Sequence, residues 1–249
     1  MAIPLLTGRK ERPTPDAMPL VQHLTELHKR LIFSVSAFVV GAAIAAAFYQ
    51  GMLNILQHPY CRVNPHNCAF YVQGPLDPLT LRIQMAAFGG LFIASPVILF
   101  QLWRFITPGL RRNEKRYAIP FVICSIVLFA AGAGLAYAVF PHALAFLKHV
   151  GGPSLKEILR PNQYLSLILL MMFLFGLTFE FPVVLVGLQL AGVLKPNQLL
   201  HAWRWAIIGL TLVAAVFTPS ADPLSMLVLA VPLIAFYFIS IGIGKLFVR

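Results

Sequence analysis

The sequence predicts an all-α polytopic membrane protein of six transmembrane helices, and three observations predict it. Of 249 residues, 59% are hydrophobic and 11% charged, against about 25% charged in a soluble globular domain. Long runs of the chain carry no charge at all. The 19 Lys and Arg, set against 8 Asp and Glu, gather between those runs instead of on one folded face, as membrane-flanking cations do and a nucleic-acid surface does not. This composition excludes an ordinary water-soluble enzyme, a disordered chain and a nucleic-acid-binding domain.

A bilayer core of about 30 Å needs roughly 20 apolar residues in a helix, because each unpaired backbone group in lipid costs several kcal/mol. One membrane domain over 1–249 follows, with a cytoplasmic amphipathic segment over 1–30 and spans near 31–50, 83–103, 117–140, 163–185, 205–217 and 224–244. In the amphipathic segment Asp16 caps a helix and Pro19 sits in its first turn. Leu20, Leu24, Leu27 and Leu31 recur at helical spacing, and Gln22, Glu26, Lys29 and Arg30 take the other side. Two readings stand: a helix lying on the membrane with Glu26 paired to Arg30, worth a few tenths of a kcal/mol, or a Glu26 carboxylate offered to a visiting cation. The first span, Leu31 to Tyr49, follows an acidic, helix-like stretch and is expected to remain uncleaved.

The first external loop holds Cys61 and Cys68. In an oxidising compartment they can form a disulfide, the alternative being two free thiols. The second span, Ile83 to Trp103, contains Gly89-Gly90 for close helix approach and Pro96 for curvature. After it, Glu114 lies among Arg104, Arg111, Arg112, Lys115 and Arg116, cations that favour its charged form. It is either a local ion pair or, with Glu26, one of two carboxylates able to receive two guanidinium groups in bidentate fashion. Tyr117 to Leu147 is uncharged, but Pro141-His142 predicts that the third helix stops near Phe140. Cys124 reads as inert packing there, and Gly132 and Gly134 as points of close approach.

The fourth span runs in Asn162 to Leu194 and carries one charge, Glu180. An ionisable group within a span costs about 2.5–3.5 kcal/mol on insertion scales, so function is the default reading. Pro182 removes a backbone donor and frees the carbonyl of Thr178, leaving a polar notch. A proton relay and a polar binding groove both fit, beside a structural acid that holds a kink. Trp205 to Phe217, the fifth span, is 13 residues, roughly 20 Å and short of the bilayer core, so it recruits Trp203 and Trp205 or thins the membrane. Leu224 to Gly244 is the sixth, interrupted by Pro232.

With the N-terminus inside, 14 of the 19 Lys and Arg fall on the cytoplasmic side, which predicts both termini in the cytoplasm. The chain lacks G-x-S-x-G, H-E-x-x-H and G-x-x-x-x-G-K-[ST]. No enzyme, cofactor, metal or nucleotide-driven pump is expected, and any transport draws on partners or an ion gradient. One function the residues allow is a proton-coupled small-solute carrier that titrates Glu180.

The other function comes from a likeness. Pro19-Leu20-Val21-Gln22-His23-Leu24-Thr25-Glu26-Leu27, Ser95-Pro96-Val97-Ile98-Leu99-Phe100-Gln101-Leu102-Trp103 leading to Pro108-Gly109-Leu110, and Glu114-Lys115-Arg116 are followed by two more motifs. These are Phe175-Gly176-Leu177-Thr178-Phe179-Glu180-Phe181-Pro182 and Thr218-Pro219-Ser220-Ala221-Asp222-Pro223. In this order, from about Pro19 to Gly244, the segments resemble the TatC family, the multispanning receptor of the twin-arginine protein translocase. The resemblance implies a glove-shaped bundle with Glu180 on its concave groove. It implies that Glu26 and Glu114, with Arg30, Phe105 and Arg116, receive the paired arginines of signal peptides on folded cargo, and that Asp222 is the acid of the last external loop. It further implies TatA and TatB as single-span partners in a multimeric complex in the inner membrane of a prokaryote, lipid around it, and export driven by the proton-motive force. His28, Leu79 and Met226 depart from the arginine, phenylalanine and glutamine usual at their positions.

Overall fold

Lipid offers a backbone no hydrogen-bond partner, so a chain of this composition folds as helices or as a closed barrel. The computed structural model describes residues 20–63, 68, 70–72, 74–106, 118–151, 160–220 and 222–247, and every regular element among them is a helix. In order they are α1 (Leu20–Ala47), α2 (Tyr49–Val63), α3 (Asp77–Ile106), α4 (Ala118–Gly151), α5 (Pro161–Thr178), α6 (Phe181–Leu190), α7 (Pro196–His201), α8 (Trp203–Phe217) and α9 (Pro223–Phe247). Stretches within α1, α3, α4 and α9, together with α5 and α6 as one interrupted span, are long and apolar enough to cross a bilayer. At 15 residues α8 reaches about 22 Å and forms the short sixth crossing. The start of α1 lies beside the end of α3 and the start of α4. The side on which α1 begins is called the near face, and the opposite side the far face.

The structure corrects several expectations. The amphipathic segment and the first span are one continuous helix, α1; Asp16 and Pro19 lie outside the described residues. The segment after the first span is largely helical, as α2. The third helix does not stop at Phe140 but runs through Pro141 to Gly151. Proline forfeits one ladder bond there, and packing compensates: Phe140, Ala143 and Leu144 on either side of it are buried. The fourth span is broken in two. Glu180 N–H bonds the carbonyl of Leu177, a tighter turn than the α-helix, and Pro182 opens the next helix.

Three close approaches at glycine hold the crossings together. A Cβ on Gly90 would lie 2.6 Å from backbone atoms of Ala42, and one on Gly41 2.7 Å from the Gly90 carbonyl oxygen, so α1 and α3 touch through their main chains. A Cβ on Gly132 would lie 2.6 Å from the carbonyl oxygen of Phe175, where α4 meets α5. At the near face one on Gly244 would strike the Gln189 side chain at 1.6 Å, fixing α9 against α6. Gly134, also read as a point of approach, faces open space.

On the far face α2 caps the bundle. Tyr164 donates to the Leu56 carbonyl at 2.8 Å, and Tyr137 to that of Ile55 at 2.8 Å. The rings of Tyr60, Phe70 and Phe140 surround Tyr164 at centroid distances of 5.4–5.5 Å. Cys61 and Cys68 form a disulfide with a Cα–Cα distance of 4.9 Å, which ties the segment bearing Phe70 to the end of α2.

One substitution made at two neighbouring glycines checks the crossing. Gly132→Ala is expected to lower stability by about 1–3 kcal/mol through overpacking against backbone, whereas Gly134→Ala is expected to be neutral or slightly stabilising. Thermal unfolding of the two purified variants reads the difference, and equal midpoints would contradict the packing described.

Candidate functional site

Two constellations on the near half of the bundle carry polar chemistry. The first is a groove of about 700 Å³ between the start of α1, the end of α3 and the start of α4. Helical spacing brings Glu26, Lys29, Arg30 and Phe33 of α1 to its edge, facing Val97, Phe100, Gln101 and Arg104 of α3 and Val122 and Ile126 of α4. Glu26 is ion-paired with Arg30 one turn on; Arg30 is largely buried, and the Glu26 side chain is 36% exposed. Leu27 and Leu31 are exposed, while Glu26, Lys29 and Arg30 line the groove. Pro96 helps shape this end of α3. Without an N–H it leaves the Phe92 carbonyl free of its helical donor, and the Ser95 hydroxyl bonds that carbonyl instead, at 2.8 Å.

The second constellation is a buried chain of hydrogen bonds. Trp103 Nε1–H donates to Ser125 Oγ at 2.6 Å, and Ser125 donates to Glu180 Oε2 at 2.6 Å. It links α3, α4 and the break between α5 and α6, with Glu180 only 7% exposed and Ser125 fully buried. Glu180 Oε1 has no hydrogen-bond partner among the described residues. Trp103 packs on Phe121 at 5.2 Å and along Gly187, whose missing side chain leaves room for the indole. Beside this chain lies an apolar cavity of about 390 Å³ lined by Pro182, Val183, Phe121 and Cys124. Cys124 is therefore an exposed thiol on a cavity wall and not inert packing.

The remaining site candidates divide clearly. Asp222 caps α9: its Oδ2 accepts the Ser225 N–H at 2.6 Å, its Oδ1 the Ser220 hydroxyl, and the residue is 1% exposed. Phe105 stands in the last turn of α3. Glu114 and Arg116 lie outside the described residues. The structure thus brings together Glu26 and Arg30, and separately Glu180 and Pro182. Sequence reasoning missed Ser125 as the partner of Glu180 and Trp103 as the partner of Ser125. Their signal was present, since a hydroxyl and an indole N–H within apolar spans each need a partner.

A family model described as Sec-independent protein translocase protein (TatC) matches residues 22–232. The chain belongs to the TatC family. Among its relatives, the Sec-independent protein translocase protein TatC of Aquifex aeolicus is 40% identical over 235 residues, spanning 93% of this chain and 97% of that one. The TatC protein of Frankia casuarinae is 39% identical over 251 residues, spanning 96% of this chain and 69% of its own. A crystal structure of the twin arginine translocase receptor TatC superposes with a TM-score of 0.76 at 39% identity, covering 89% of this chain and 99% of that one. The proton-coupled carrier reading of Glu180 finds no support in these TatC matches.

Ser125 is the joint of the buried chain, and its loss is expected to show. Ser125→Ala removes the hydroxyl that bonds both Trp103 and Glu180 Oε2, at about 1–3 kcal/mol for a buried group that loses its partner, while Ser125→Thr retains the hydroxyl and most of the stability. Unfolding midpoints, with the indole N–H resonance of Trp103 as a local probe, read both outcomes; an unchanged resonance in the alanine variant would refute the bond.

Proposed function

We propose that this protein is the signal-peptide receptor of a twin-arginine translocase and nucleates the export complex, doing no covalent chemistry itself. The observation that carries the reading is the Glu26 carboxylate on the lip of an amphipathic groove, held among the described residues by the arginine one turn on, Arg30. An incoming guanidinium presents the same planar donor fork as Arg30, so the carboxylate can exchange one partner for the other without being left bare. Such exchange conserves the number of ion pairs. It therefore rewards geometry more than raw affinity, and geometry separates arginine from lysine.

Glu114 takes the second arginine of the pair in this proposal, with Phe105 and Arg116 beside it. The apolar stretch of the peptide lies against Phe33, Val97 and Phe100 beneath the charged lip. We take the near face as the cytoplasmic one: with the N-terminus inside, 14 of the 19 Lys and Arg of the sequence belong to the segments between spans on that side, and the positive-inside rule then assigns both termini there. The membrane is the inner membrane of a prokaryote. Partner subunits, TatA and TatB, build the passage, and the proton-motive force drives it, because no motif for nucleotide hydrolysis occurs in the sequence. Glu180 serves as a buried polar anchor that fixes the break between α5 and α6 behind the groove.

Binding of a fluorescent signal peptide to the protein in nanodiscs tests the recognition. Glu114→Ala is expected to weaken a twin-arginine peptide by about 10–100-fold, the worth of a charge-assisted bidentate pair, and its twin-lysine version far less. Equal losses for both peptides would refute bidentate capture.

A further inference from the structure

Among its described residues the rim of the near-face groove holds more positive than negative charge. Lys29, Arg30 and Arg104 stand around one described carboxylate, Glu26, which is already paired with Arg30. Neither Lys29 nor Arg104 has a carboxylate partner among the described residues, and both side chains are exposed. Toward an arginine-bearing peptide these two cations are repulsive; toward an anion both become ligands.

Beneath the rim the chemistry changes to hydrocarbon. Phe33, Val97, Phe100 and Ile126 form the walls, and Phe33 and Phe100 are 56% and 43% exposed. Contacts run from α1 to α3 and from α3 to α4, whereas α1 and α4 do not pack closely on one another. The groove therefore opens sideways between α1 and α4, into the region that the spans give to lipid. Cations at the helix ends above an apolar cleft that points toward the membrane centre reproduce the amphipathic order of a phospholipid, head and chain alike.

We propose that this groove is a binding site for an anionic phospholipid. Its phosphate lies between Lys29 and Arg104, and one acyl chain runs down the wall formed by Phe33, Val97 and Phe100. Basic pockets between transmembrane helices hold lipid headgroups by this combination of charge and depth. A zwitterionic lipid fits the same walls but brings its own cation to a cationic rim, so the site selects by headgroup charge. The proposal goes beyond the peptide reading, and its test contains no peptide.

The full-length protein, purified in a neutral detergent, is unfolded thermally with added phosphatidylglycerol, with phosphatidylcholine of the same chains, or with glycerol 3-phosphate. Phosphatidylglycerol is expected to raise the midpoint by at least about 3 °C more than phosphatidylcholine, and glycerol 3-phosphate to leave it unchanged. Lys29→Gln combined with Arg104→Gln removes the difference between the lipids, and Val97→Trp, which fills the wall without touching charge, removes it too. Arg62→Gln, on the far face, keeps it. A difference that survives either groove variant overturns the proposal, and an equal rise with glycerol 3-phosphate assigns a free-phosphate site instead. Native mass spectrometry of the unaltered protein gives an answer independent of any variant: selective retention of phosphatidylglycerol supports the site, and equal retention of the two lipids contradicts it.

Discussion

An acid placed among apolar spans must find its partner inside the protein, and this constraint organises the structure. Four of the eight Asp and Glu fall among the described residues, and each is answered differently. Glu180 is answered by a serine hydroxyl that an indole N–H in turn supports. Asp222 is answered by the first turn of α9 and a neighbouring serine. Asp77 accepts the Gly74 N–H at 2.9 Å and the Asn162 amide at 3.2 Å, joining the starts of α3 and α5. Glu26 is ion-paired to a long, rotatable side chain, Arg30, and borders the near-face groove. The first three are built in; the fourth is the one that, in the proposed function, exchanges its partner.

The difference follows from where each acid sits. Removing a partner from a buried polar group leaves the full desolvation cost behind, so Glu180 and Asp222 are fixed by elements packed from several sides. Around Glu180 the helix is interrupted, and the break is tolerable because α3, α4 and α9 close over it, with Phe179 stacked edge-on against Phe236 at 5.3 Å. Around Glu26 no helix closes. The α1–α3 pair is held by glycine contacts farther along, at Gly41 and Gly90, which leaves the near ends of α1 and α4 apart and the groove open between them.

Much of this was legible in the residues. Uncharged runs marked the spans, the i,i+4 spacing of Glu26 and Arg30 offered their ion pair, and a lone acid beside Pro182 marked a polar notch, though not the break into two helices. What escaped depended on contacts distant in sequence. Pro141 reads locally as a stop, yet the helix continues because Phe140 is locked against Tyr164. Asp222 reads as a loop acid, yet Pro223 behind it and Ser225 three residues on form an ordinary helix start. Gly132 and Gly134 look alike in the sequence, and only the neighbouring helix separates them. Ser125 and Glu180, 55 residues apart, meet through a crossing that no local pattern encodes.

The account stands or falls on the groove beside Glu26 as the place where the paired arginines are received. Photo-crosslinking reads this directly, with a photoreactive residue at Gln101 in that groove and, in a second protein, at Gln84 in the polar cleft of the far face. A twin-arginine signal peptide is predicted to crosslink at position 101, to lose that crosslink when its arginines become alanines, and to leave position 84 unlabelled. A folded protein labelled at 84 but not at 101 would contradict the account.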